Sequence, residues 1–421
     1  MKLFGYRGWA VLTALSVMMC ISMSLPIYGA SVVNTYMATA LDWNRQTLGL
    51  LTSVNMVTVA LFSPVAANVV GRIGIRNSLV IGCLTMVAGG AWLATLATQP
   101  WEAVAAFSVL MGLTSAFSGI IPCQAGVAAW FVRRRTLAIS VLFAVVGAAS
   151  FAVISLIGSV VESAGGWRSG WWVFVGAGVV GLLTSLLFVR NAPTGDDANS
   201  SELRWDEKHE EAAQTTRELS LSKVVRSPLL LSVAFAMLAI ATGEAFMIAH
   251  SQVYLRGIGI SAAAAAFAMP LLSATMVLGN LGFNLLAAST DLRRAQIISM
   301  GVFVVGFVAL ANLRTPNLIT TYVAVGLVGA GFGAGQVGVM GMLGHYWSTR
   351  LFPMLTAVVL LIQTVGGCLV AILAGAYFDA HQTYLPVIFV IGALNVLAIL
   401  GLWATSPHPK QHKVEPRSTS I

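Results

Sequence analysis

An all-α membrane protein of twelve transmembrane helices in two six-helix repeats is the fold class this chain predicts, on three observations. Only 9% of its 421 residues are charged and 57% are apolar, whereas an ordinary soluble domain carries about 25% charged residues. Its Lys and Arg residues are so sparse that the gaps between them read directly as candidate spans. The apolar runs also lack the alternating polarity of barrel strands. A backbone that must satisfy its own N–H and C=O groups in hydrocarbon is then left with helices.

A helix needs ~20 apolar residues to cross ~30 Å of hydrocarbon. Two cation-free gaps, 77–132 and 351–409, are long enough for two helices each. The first splits at Gln99, Pro100 and Glu102 and the second across Asp379 to Gln382, which brings the count to twelve. The first apolar run is too long for a signal-peptide core, so it is expected to remain as helix 1.

Charge supplies the orientation. With the N-terminus in the cytoplasm, 19 of the 23 cations fall on inner segments, and the outer loops hold only Arg45, Arg168, Arg256 and Arg314. This positive-inside bias predicts cytoplasmic termini. The net charge of +8 is then a topology signal, and no nucleic-acid partner is expected. Short outer loops and the absence of extra domains fit a bacterial inner membrane, and a monomer is expected. Cys20, Cys83, Cys123 and Cys368 lie inside predicted helices without short pair spacing. They read as small core residues, with no disulfide framework and no metal site.

Residues 191–227 hold eight of the fifteen acidic residues and read as a solvated cytoplasmic linker between bundles at 8–190 and 228–404, with a cytoplasmic tail at 405–421. The bundles resemble each other. Gly112, Leu113, Ala116 and Gly119 match Gly326, Leu327, Ala330 and Gly333 at an offset of 214, and Trp130 and Phe131 match Tyr346 and Trp347 at 216. Halves of this kind are what an alternating-access carrier is built from.

Between helices 2 and 3 the chain reads A-N-V-V-G-R-I-G-I-R, and between helices 8 and 9 it reads A-A-S-T-D-L-R-R. With its six-plus-six layout, the chain resembles the major facilitator superfamily, whose corresponding loop carries Gly-x-x-x-Asp-Arg-x-Gly-Arg. Arg72, Gly74 and Arg76 fit that pattern, Gly71 stands in place of its acid, and Asp291, Arg293 and Arg294 form a looser second copy. The resemblance implies a cytoplasmic latch at helix ends that holds one of two conformations.

Within that superfamily, Tyr28-Gly29, Leu41-Asp42-Trp43-Asn44-Arg45, Pro122 followed by Trp130-Phe131, and Tyr346-Trp347 resemble the monocarboxylate and oxalate/formate porter branch. It implies a small organic acid as substrate, moved with a proton or by exchange. Helix 5 reads G-A-A-S-F-A, without the Gly-Pro of the drug/proton antiporters. An exporter of amphiphilic or cationic compounds therefore stands second. Members of the porter branch that carry anions typically use an arginine in helix 8, and some a lysine in helix 11. Here every Lys and Arg is assigned to a loop or terminus. Asn280 and Asn284, one turn apart on helix 8, can donate to a carboxylate without neutralising it.

Glu244 is the one carboxylate deep in a predicted span. Ionised there it costs at least ~2.5 kcal/mol unless paired, protonated or hydrated. This makes it the leading proton-coupling candidate, with a permanently protonated, structural Glu as the alternative. His250 is a second coupling candidate, although six positions on it leaves Glu244's face. Tyr28, Asn34, Gln124, Gln336 and Gln363 are substrate-binding candidates, and Asn55 is a further polar residue in a span. Each can equally serve as an interhelical hydrogen bond.

Other function classes lack their marks. None of the five lysines follows a phosphate-loop glycine spacing, and neither His-Glu-x-x-His nor Gly-x-Ser-x-Gly occurs. A pump and an enzyme are set aside on that ground, and no cofactor is expected. A receptor that senses a solute without moving it is distinguished by uptake measurements.

Overall fold

The computed structural model describes residues 7–43, 45–132, 134–163, 166–193, 224, 226–313, 316–347 and 351–405. Most of the expected linker and all but the first residue of the expected tail lie outside the described residues. The helices are α1 (Gly8–Ala40), α2 (Arg45–Ile73), α3 (Ile75–Thr95), α4 (Pro100–Trp130), α5 (Arg135–Ser163), α6 (Trp167–Phe188), α7 (Pro228–Gly257), α8 (Ala262–Ser289), α9 (Leu292–Ala311), α10 (Leu318–Tyr346), α11 (Phe352–His381) and α12 (Leu385–Ala404). Among the described residues, eleven stretches are long and apolar enough to cross a membrane. The twelfth span is the 29-residue α5. An even number of crossings puts both termini on one side of the membrane.

Helix starts are written locally. Ser227, Ser261, Asp291 and Asn317 accept bonds from the orphan N–H groups that open α7, α8, α9 and α10. Glu102 reaches back to the N–H groups of Thr98 and Gln99 at 2.7 and 2.8 Å, with Pro100 at the first helical position. The α3–α4 turn therefore falls at the expected split. The second split is equally close, with Gln382 left-handed at φ 55° just past α11. α1 carries a wide π-helical stretch, Cys20–Gly29, that contains Pro26, and α4 carries another at Val104–Met111 before breaking at Gly119.

In lipid, helix association gains little from apolar burial, because acyl chains are as apolar as leucine. Close backbone approach does the work. Around α10 this approach depends on glycine. A Cβ at Gly329 would meet Thr275 and the Leu272 carbonyl of α8, one at Gly333 would meet the Met276 carbonyl, and one at Gly331 would meet the Phe303 backbone of α9. Gly326 has ordinary space beside Thr275 at 3.5 Å.

The two six-helix groups repeat in their contacts as well as their order. Arg76 at the start of α3 donates to the Leu186 carbonyl of α6, and Arg293 at the start of α9 donates to the Trp403 carbonyl of α12, both partners lying 217 positions further on. α4 and α10 both end in an aromatic followed by an extended aromatic, Trp130-Phe131 and Tyr346-Trp347. The groups meet along α2–α11 and α5–α8, with further contact of α4 with α11 and α5 with α10. Replacing Gly333 by valine should lower the melting temperature of the purified protein by several degrees, since overpacking a tight contact costs about 1–3 kcal/mol. A melt unchanged from the native chain would show that α8 and α10 can part at no cost.

Candidate functional site

Two expected residues of the second half, on α7 and α11, meet, and a third on α1 is within electrostatic reach of them. Gln363 of α11 donates Nε2 to Glu244 Oε2 of α7 at 3.4 Å, and the Tyr28 phenol of α1 lies close enough to Glu244 for the two to interact electrostatically. Glu244, Gln363 and Tyr28 are all half-buried. Among the described residues no Lys or Arg bonds to the carboxylate. The Gln363 amide has turned its N–H toward Glu244, and its Oε1 is buried without a donor. The cluster can hold a proton, or a ligand that brings hydrogen-bond donors.

His250 lies six residues further along α7, in an aromatic cluster with Phe246, Tyr254, Phe378 and Tyr384. Both ring nitrogens are engaged within its own half, Nε2 with the Ala371 carbonyl at 2.9 Å and Nδ1 with the Tyr384 hydroxyl at 3.1 Å. A carbonyl only accepts, so Nε2 carries the proton and Nδ1 accepts from Tyr384. His250 thereby ties α7 to α11 and to the start of α12.

The other candidates are dispersed. Asn284 donates to Ser140 of α5, while Asn280 is fully buried against Gly333 with both amide atoms unpartnered. Gln124 is also fully buried with neither amide atom bonded, Asn34 is 4% exposed with Oδ1 unpartnered, and Gln336 is 7% exposed on α10. Asn55 donates to the Phe107 carbonyl of α4 at 3.2 Å, an interhelical bond.

The residues expected to latch the two conformations bond inside their own halves. Arg76 holds α6 through Leu186, and its N–H binds the Asn191 side chain, against which any Cβ at Gly74 (φ 89°) would collide. Arg293 holds the end of α12 through Trp403 and Thr405. Asp291 caps α9 and pairs with Arg294 at 3.0 Å across exposed side chains, a contact of small energy. Arg72 is exposed and makes no hydrogen bond among the described residues.

The bonds that join the halves involve residues the sequence reading passed over. The expectation that every Lys and Arg sits in a loop or tail needs correction at Arg135, which opens α5 and is only 5% exposed. It donates to the Phe131 and Ala128 carbonyls at the end of α4, both at 3.2 Å, and to the Gly344 carbonyl near the end of α10 in the other half. A guanidinium here meets the negative ends of two helix dipoles. Beside it lie the Asn284–Ser140 bond, Thr136 against Gly341, and an apolar contact of Ala67 and Ile121 with Ala357. All of these lie on the side of the termini, so this conformation is closed there. The available signal was the third arginine of Arg133-Arg134-Arg135, set one turn past the α4 end, which charge counting absorbed into topology.

A family model for the Major Facilitator Superfamily matches residues 11–311. The chain belongs to the major facilitator superfamily. It is thus a multi-pass membrane transporter of a small-molecule substrate rather than an enzyme. Among solved structures, that of the major facilitator proton:xylose symporter XylE bound to 6-bromo-6-deoxy-D-glucose is similar, with a TM-score of 0.75 at 14% identity over 94% of this chain and 95% of that one. At that identity the likeness concerns the fold alone. Sequence comparison with curated proteins gives no match.

Arg135→Gln should loosen closure on the termini side. A cysteine placed at Ser140 should then label at least several-fold faster with a water-soluble maleimide than in the Arg135 background. Unchanged labelling would assign the closure to the apolar contacts alone.

Proposed function

We propose that this chain is a proton-coupled secondary transporter working by alternating access, with Glu244 as the group that takes up and releases the proton. The carrying observation is Glu244 itself, a carboxylate midway along α7 that accepts from Gln363 and bonds to no described cation. A dry site favours the neutral acid and a wet site the carboxylate, so a single group can load on one side and release on the other. A proton symporter with a similar fold supports the coupling.

In this reading residues 8–190 rock against 228–404, the segment 191–227 links them, 405–421 is a tail, and the chain works as a monomer. The charge bias makes the termini side cytoplasmic, in a cell inner membrane. The structure then represents the conformation closed to the cytoplasm. Within each half, Arg76 and Arg293 with Gly74, Asp291 and Arg294 keep the bundle rigid while it moves, and Arg72 remains available to the opposite conformation. His250 holds α7 in register with α11, which keeps Glu244 opposite Gln363.

The porter-branch resemblance supports a small organic acid as substrate, carried with a proton or exchanged. A cationic or amphiphilic solute is the second reading, favoured by the lack of a described cation beside Glu244. Solute uptake by the purified protein in liposomes separates either from a non-transporting receptor.

Glu244→Gln should fold and still exchange substrate, yet lose accumulation driven by a pH gradient, since the amide can fill the same space but carries no titratable proton. The measurement is gradient-driven uptake beside counterflow exchange in the same liposomes. Accumulation equal to the native chain would remove Glu244 from coupling.

A further inference from the structure

The packing of α8, α9 and α10 leaves a groove on its outer surface. Gly279, Gly282 and Leu286 of α8 stand along one wall, Ile298 of α9 on the other, and Gly331 of α10 on the floor of a space of about 150 Å³. The hydroxyl of Ser299, which also lines it, donates to the Ala295 carbonyl of its own helix at 2.8 Å. The groove is therefore apolar throughout. Its lips, Leu281, Leu285 and Ile298, are exposed, and exposed apolar side chains at this depth face acyl chains. A side chain at Gly282 would begin in open space, with nothing within 4 Å of its Cβ. From Gly279 to Leu286 the wall is seven residues long, about 10 Å of helix.

The groove runs toward the side of the termini, where α8 ends at Ser289 and α9 begins at Leu292. One turn before Ile298, on the same row of α9, stands Arg294. Its Nε pairs with Asp291 at 3.0 Å and its side chain is 76% exposed, and among the described residues neither of its η nitrogens makes a bond. Arg293 adds a second guanidinium beside it, and the first turn of α9 adds the positive end of a helix dipole. Against these stands the one carboxylate of Asp291. The mouth of the groove is cationic where its walls are apolar.

We infer that this groove holds one acyl chain of an anionic phospholipid from the leaflet on the termini side, with the lipid phosphate at the η nitrogens of Arg294. A guanidinium edge offers paired N–H donors that match phosphate oxygens. The chain gains little by leaving other acyl chains for an equally apolar groove. The groove thus fixes where the lipid lies, and the headgroup charge sets how tightly it is held. A second copy of the protein is the other apolar occupant. A helix about 10–12 Å across would rest on Leu281, Leu285 and Ile298 without reaching the floor, whereas a single acyl chain is thin enough to enter.

The test is thermal melting and native mass spectrometry of the full-length protein in maltoside micelles, with dioleoylphosphatidylglycerol or dioleoylphosphatidylcholine added. The two lipids share acyl chains and phosphate and differ in net charge. Phosphatidylglycerol should raise the melting temperature by several degrees more than phosphatidylcholine, and a single copy should stay bound when the micelle is stripped away. Gly282→Leu should fill the groove and remove most of that difference. Its melt in phosphatidylcholine should stay at or above the native value, because leucine favours a helix over glycine and its Cβ meets no neighbour there. Arg294→Gln should bring the two lipids level, and salt at about 1 M should do the same in the native chain by screening. Gly176→Leu on α6, an exposed glycine with equally open space, is the control and should leave the difference intact. If Arg294→Gln melts early in both lipids, Gly282→Leu and the salt series decide. Equal melts of the native chain in the two lipids, or a difference that survives Gly282→Leu, would overturn the inference. A dimer that forms without bound lipid and is lost in Gly282→Leu would overturn it too, and would assign the groove to a second copy. None of these readouts involves Glu244.

Discussion

Everything in this protein depends on how helices can hold together where burial of apolar surface gains nothing. Between α8, α9 and α10 the answer is backbone against backbone: Gly329 and Gly333 admit carbonyls of α8, and Gly331 and Gly306 admit the backbones of α9 and α10 into each other. Such contacts have no slack, since any added carbon strikes a main-chain atom. The first group has such contacts too, where Gly82 and Gly89 of α3 leave no room for a carbon against the Ser118 and Ala106 backbones of α4, so each six-helix group is stiff along these faces. Stiff groups concentrate movement at their mutual boundary, along α2–α11 and α5–α8, where Arg135 and Asn284 supply described hydrogen bonds between the halves.

Rigidity also explains why the repeated arginines bond inward. Arg76 and Arg293 each bond the carbonyl end of the last helix of their own half, α6 and α12, 217 positions apart in both donor and acceptor. A helix end facing water frays unless its orphan carbonyls are met. Two equivalent arginines meet them, so the motif strengthens the body that moves.

The fold was legible because its determinants are local in the chain: run lengths of apolar residues, sparse cations, and caps such as Glu102 at the α3–α4 turn. Glu244 was legible for the same reason, as a lone acid inside a span. Its neighbours were legible only as types. Gln363 is 119 positions from Glu244, and nothing local in it says that the two meet, while Gln124 and Asn280 have the same composition signal and end up sealed in the packing. Arg135 was misread because a cation next to a membrane helix serves topology whether or not it also binds a carbonyl. Only the pairing of the α4 and α10 ends, which is a tertiary event, separates the two roles.

The closure on the termini side has a chemistry suited to opening. A salt bridge across the halves would leave a carboxylate and a cation both unpaired when broken, and that penalty grows with burial. The described hydrogen bonds of Arg135 go instead to carbonyls, in its own half and at Gly344 of the other. When the halves part the Phe131 and Ala128 carbonyls stay within reach of Arg135, while the Gly344 carbonyl changes partner. Gly344 lies two residues from the end of α10, where water can reach its carbonyl as soon as the gap opens, so neither side is left with an uncompensated charge. The Asn284–Ser140 bond has the same property, being neutral on both sides. The hydrogen bonds described across this closure are therefore ones that water can replace as the gap opens, which leaves the packing of α5 on α8 and of α2 on α11 to resist the opening.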